Sequence, residues 1–101
     1  MFKILSIMVL LSGCVQWNPP EAYSGPYTGQ LTVIRVPQPE VVALCSELIE
    51  GVTSKQKGCA VWRGNSCLVV IIDKIFMGSR PVDVLRHEIG HCNGWPEDHP
   101  E

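Results

Sequence analysis

The residues most able to do chemistry stand together near the end of the chain, in Val82-Asp83-Val84-Leu85-Arg86-His87-Glu88-Ile89-Gly90-His91-Cys92-Asn93-Gly94. Within this run His87, Glu88 and His91 form His-Glu-x-x-His. On a helix, residues four apart lie one above the other on one face. His87 and His91 can then offer two imidazoles to one metal ion, with Glu88 projecting beside them. The spacing is that of a zinc site with a general base built into the same helix.

A helix must carry these groups, and the flanking residues provide one. Ser79 and Pro81 make a helix start, Pro being suited to the first helical position. Val82, Leu85, Ile89 and Cys92 recur at helical spacing as an apolar stripe. The expectation is a helix that buries this stripe and shows His-Glu-His on another face. Gly94 permits the left-handed turn that ends the helix, and Pro96 prevents its resumption. The tail, Trp95 to His99, is then free to double back towards the ion.

The chain has 101 residues and a formal charge of −2, enough for one small domain. Lys3 followed by the apolar run Ile4–Leu11 reads as the core of a signal peptide, far short of the about 20 residues that span a bilayer. Leu11-Ser12-Gly13-Cys14 resembles the lipobox of bacterial lipoproteins, in which the Cys is lipidated and becomes the first mature residue. That resemblance implies a signal peptide over 1–13 and a membrane anchor at Cys14. Val15, rather than Asp, after the Cys resembles the enterobacterial sorting pattern for the outer membrane, which implies an anchor there, facing the periplasm of the cell envelope. Residues 14–29 hold Pro19, Pro20, Gly25, Pro26 and Gly29 and read as a tether. Its Trp17, Tyr23 and Tyr27 either touch the membrane interface or pack back on the domain. No basic stripe suggests nucleic acid. Oligomeric state is not legible.

The domain, 30–101, is expected to be α+β. Gln30–Val36 is rich in β-branched residues and reads as a strand, ended by Pro37 and Pro39. A helix follows from Pro39 or Glu40, with Val41, Leu44, Cys45 and Leu48 on one face and Gly51 as its stop. Cys59–Arg63 and Cys67–Asp73 are strands joined by Gly64-Asn65 in a hairpin. The continuous apolar run Leu68–Ile72 suits a strand buried on both faces. Together these predict two helices on a short, mainly antiparallel sheet, the last helix carrying the site.

Apart from Cys14 there are four cysteines, Cys45, Cys59, Cys67 and Cys92, in a small exported domain. They read as two disulfides with three pairings open. Periodicity hints at Cys45 with Cys92, tying the two helices, and Cys59 with Cys67, closing the hairpin.

His87, Glu88, His91 and Gly94 match the zincin metallopeptidases in register, specifically the metzincin-like layout His-Glu-x-x-His-x-x-Gly-x-x-His/Asp. The resemblance covers roughly residues 59 to 99. The Cys-Ala-x-Trp hairpin and the His-Cys at 91–92 also resemble small exported or phage- and plasmid-borne HExxH proteins. The downstream Met-turn of metzincins is missing, since Met77 precedes the helix, so the form is minimal. One large zincin group takes its third ligand from a second helix downstream. With ten residues after His91, the third ligand is expected instead from the tail or from upstream. The pattern's next position holds Glu97, with Asp98 and His99 just after. His99 is the first choice, because a third imidazole is the commoner solution in that layout, then Asp98, then Glu97. The resemblance implies Zn2+ as cofactor, Glu88 as general base, and hydrolysis of an extracytoplasmic protein or cell-wall peptide. The alternative is a non-catalytic lipoprotein whose metal site is structural or inert.

Overall fold

A computed structural model describes residues 17–99. The expected signal peptide over 1–13 and the expected lipidation at Cys14 lie outside the described residues. Strand β1 is Gln30–Val36, helix α1 Gln38–Leu48, strand β2 Gly58–Arg63, strand β3 Ser66–Ile72 and helix α2 Pro81–Cys92. A short 3-10 turn, Glu21–Tyr23, precedes them. The fold is α+β, as expected, and the elements fall within a residue or two of the sequence reading.

The three strands form one sheet in the order β1-β3-β2. β2 and β3 are the hairpin, antiparallel, with Gly64-Asn65 as its two-residue turn. β1 runs parallel to β3, so the sheet is mixed and not mainly antiparallel. The reason lies in the connection. α1 carries the chain back past the start of β1, and residues 49–57 climb the length of the sheet again before β2 begins. β1 and β3 then point the same way.

Side chains alternate between faces along a strand, and residues directly opposite across a ladder share a face. Cys59 is opposite Val70, whereas Cys67 is opposite Trp62, an odd number of residues away along β2. Cys59 and Cys67 therefore emerge on opposite faces. The disulfides follow this division: Cys45 of α1 bonds Cys59, and Cys92 of α2 bonds Cys67. Each helix is stapled to the strand beneath it, one helix per face. β3 lies between them, and Val69, Val70, Ile71 and Ile72 are all buried. Its unbroken apolar run is the sequence signature of that double burial.

The pairing hinted at by periodicity is corrected by this geometry. A disulfide needs its two Cα atoms within about 7 Å. Cys45 and Cys92 sit on helices separated by the whole sheet. Cys59 and Cys67 point away from each other.

Candidate metal centre

α2 starts at Pro81, with Arg80 extended before it, as the residue preceding a proline tends to be, and with no side-chain cap. Ser79 does not cap the helix; its backbone closes a tight turn with Phe76. The helix also presents a different face to the sheet from the one expected. Val84, His87, Glu88, Gly90, His91 and Cys92 are buried, while Val82 is exposed and Leu85 and Ile89 are half-buried. Of the expected stripe, Cys92 lies in the core and Leu85 packs against it, while Val82, Leu85 and Ile89 also line a groove with residues 24–26. The His-Glu-His face points inward, at 5, 6 and 7 % exposure for His87, Glu88 and His91.

The end of α2 brings the tail round. Gly94 adopts φ 101°, open to a residue without Cβ. The Gly94 N–H donates to the His91 carbonyl at 3.0 Å, and the Trp95 N–H to the Gly90 carbonyl at 3.0 Å. This pair of bonds is a Schellman motif, which turns the chain back over the last helical turn. A further turn, closed by the His99 N–H on the Pro96 carbonyl at 2.9 Å, returns His99 to the helix.

The outcome is a triangle of three imidazole nitrogens. The Nε2 atoms of His87, His91 and His99 stand 3.3, 3.1 and 3.2 Å from one another. The structure thus unites His87, His91 and His99. Asp98 is not in the cluster, and Glu97 is 79 % exposed, with Oε2 at 3.6 Å from His91 Nδ1.

Two Trp residues hold the helical histidines, each by ring and by carbonyl. His87 Nδ1 donates to the Trp17 carbonyl at 2.7 Å, and the Trp17 ring stacks on His87 at 4.0 Å. His91 Nδ1 donates to the Trp95 carbonyl at 2.7 Å, and the Trp95 ring stacks on His91 at 5.0 Å. A carbonyl can only accept, so both Nδ1 atoms carry the proton. In the neutral ring the Nε2 atom is then a bare lone pair. His87 is held neutral, its pKa lowered to about 4 by burial and by His91 and His99, against the opposing pull of its bond to Trp17. Burial and His91 also lower His99.

Two bare lone pairs facing each other across 3.3 Å lack a partner of opposite sign. One N–H on His99 can point at only one of them. A cation at the centre of the triangle satisfies all three. Donors bonded tetrahedrally at 2.0–2.1 Å lie about 3.3–3.4 Å apart, and the observed edges are close to that. The three histidines can hold a metal ion.

Glu88 lies beside them, towards β2. A Cβ on Gly58 would come within 3.3 Å of Glu88 Oε2 and 2.8 Å of Val84 Cγ1, so Gly58 makes the room for this side of the helix. Burial, then the charge of Glu97, raises the Glu88 pKa to about 8. Glu88 and all three histidines open onto one cavity of about 290 Å³, walled by Trp17, Lys57, Gly58 and Ala60 among others. β2 is an edge strand and forms one rim of it.

The stretch read as a tether is docked along its described part. Trp17 covers His87, and Pro19 lies on Gly90, where an added Cβ would come within 2.5 Å of its Cγ. Asn93 does not cap α2 with its side chain. Its Nδ2 donates to the carbonyls of Tyr23 and Gly25 at 3.0 and 2.7 Å, pinning the segment down. Sequence reasoning missed both Trp residues as holders of the site. Trp95 carried a signal, as the apolar residue just after a helix-ending Gly. Trp17 carried none, because its contact spans 70 residues.

Compared with known proteins, the chain matches no family model, no curated protein and no solved structure.

Proposed function

We propose that the chain is a zinc-dependent metallopeptidase that hydrolyses peptide bonds of extracytoplasmic protein or cell-wall peptide. The observation that carries this reading is the convergence of three Nε2 atoms beside a buried carboxyl at the floor of an open cavity. Three imidazoles at tetrahedral spacing suit zinc, and a catalytic zinc has three protein ligands and one open position. The motif-level resemblance to zincins supports the same conclusion.

His87, His91 and His99 would hold the ion. Bound there, zinc supplies polarisation of the scissile carbonyl and acidification of a water. The chain's own groups do the rest. The Trp17 and Trp95 carbonyls keep the protons on Nδ1, so Nε2 stays available as a donor of electrons. Glu88 would take a proton from the attacking water onto its carboxylate and pass it to the leaving amine. Burial favours its neutral form, and a dication held nearby would favour the ionised form the role requires. The outer edge of β2 offers backbone groups to an extended substrate, a form of strand addition.

The chain is further proposed to be a lipoprotein of the bacterial cell envelope, anchored at Cys14 in the outer membrane and facing the periplasm. The test of activity is zinc stoichiometry and peptide hydrolysis for wild type and Glu88→Gln. One zinc in both, with hydrolysis reduced about 10²–10⁴-fold in the variant, is the expected result. Equal hydrolysis removes Glu88 from the mechanism. Zinc without hydrolysis in wild type favours the structural or inert metal site.

A further inference from the structure

We propose that the loop before α2, together with the mouth of the metal cavity, rests on a lipid bilayer surface. The proposal depends on the lipid-anchored reading of Cys14. Its bearing on substrate also depends on the peptidase reading, but the orientation does not.

The loop is built to display apolar groups. Phe76 and Ser79 exchange two backbone hydrogen bonds, each 3.0 Å, around Met77 and Gly78. Met77 has φ 48° and Gly78 φ 82°, the type I′ pattern of a tight, rigid turn. Phe76 packs against the core, while Ile75 and Met77 stand 67 and 60 % exposed. Lys74 precedes Ile75 and Arg80 follows the turn. The apolar tips suit an interface of acyl chains and headgroups, with Lys74 beside them, Asp73 before it and Arg80 held in an ion pair with Asp83 at 2.8 Å.

The same end of the molecule receives the anchor. Lys57 Nζ donates to Ser79 Oγ at 2.7 Å and lies 5.5 Å from the centre of the Trp17 ring. Loop, Lys57 and Trp17 are therefore neighbours. Trp17 is held on His87, and Cys14 is three residues before it. Covalent geometry limits the Cα separation of Cys14 and Trp17 to about 11 Å. Acyl chains on Cys14 thus cannot lie far from the loop or from the metal site. Among the described residues the other large apolar side chain more than half exposed, Trp62, is near the hairpin turn. That turn is one length of β3 away, about 20 Å. The substrates reached from this position are polypeptide segments lying at the membrane surface.

The test uses the full lipidated chain on vesicles of phosphatidylcholine and phosphatidylglycerol that contain a nitroxide lipid. A fluorophore is placed at position 77 (Met77→Cys) or at the hairpin turn (Asn65→Cys), with circular dichroism and metal uptake checking the fold. At least threefold stronger quenching at 77 than at 65 is expected, reduced by half or more when Ile75→Asp is added. Equal quenching at the two positions, stronger quenching at 65, or indifference to Ile75→Asp overturns the proposal. The quenching pattern without peptide cleavage upholds the surface and removes the peptidase reading. Cleavage without the pattern removes the surface alone.

Discussion

Trp17 is the residue whose removal tests the architecture of the centre most sharply, because it supplies no ligand. In Trp17→Ala the ring stacked on His87 at 4.0 Å and 17° is lost. A ring pair of this kind is worth about 0.5–1.5 kcal/mol. The Trp17 carbonyl remains in the chain but is no longer held over His87 Nδ1, which forfeits most of a hydrogen bond worth about 1 kcal/mol. The sum, about 1.5–2.5 kcal/mol, corresponds to about a 10–70-fold weaker metal affinity. Loss of an outer-shell partner costs a similar factor in other metal sites, about 10–100-fold. Competition against a chelating dye measures it, with Trp62→Ala, far from the ligands, as the control. The metal-free variant should melt several degrees below wild type as well, since Trp17 packs against the buried core cluster. A dissociation constant within threefold of wild type would refute the claim that the N-terminal segment is part of the centre.

Three other outcomes follow from the same geometry. His99→Ala should lower zinc affinity by at least about 100-fold, as loss of one of three first ligands exceeds the loss of an outer partner, whereas Asp98→Ala should change it less than threefold. Without metal, stability should depend on two groups of opposite sign. His87, depressed from 6.5 to about 4, loses stability as pH falls through that window, and Glu88, raised from 4.5 to about 8, loses it as pH rises. Chelator-treated protein should therefore show a falling melting temperature from pH 6.5 to 8, which Glu88→Gln abolishes and thermal scans in the two proteins can check. Peptide mapping should recover Cys45–Cys59 and Cys67–Cys92, and removing either pair, which closes separations of 14 and 25 residues, should cost about 3 kcal/mol in denaturant unfolding.

Much of the frame was legible because it is local. The hairpin was marked by Gly64-Asn65 between apolar runs, and α2 by Pro81 at its start and Gly94 at its end. Histidines four apart identified one face of α2 as the ligand face, and Gly94 with Pro96 foretold the reversal that returns His99. What failed was non-local. Periodicity placed the buried stripe of α2 on Val82, Leu85, Ile89 and Cys92, of which Cys92 is buried and Leu85 packs on the core. It left out His87, Glu88 and His91, because His and Glu do not count as apolar. In the fold Val82, Leu85 and Ile89 line a groove with residues 24–26, and the charged-looking face fills the gap over β2. The disulfide pairing depended on which face of the sheet each Cys leaves from, and so on the register of β2 against β3. The parallel placing of β1 depended on the path of residues 49–57, which carry no strand or helix pattern. Trp17 could not be assigned from spacing at all.

The central claim is that three imidazoles grip one ion and leave it a free position. X-ray absorption on the zinc-loaded protein measures this directly. Three nitrogen donors from imidazole and one exchangeable oxygen, all at about 2.0–2.1 Å, are expected. A shell of four protein ligands, or one that survives unchanged in His99→Ala, would contradict it.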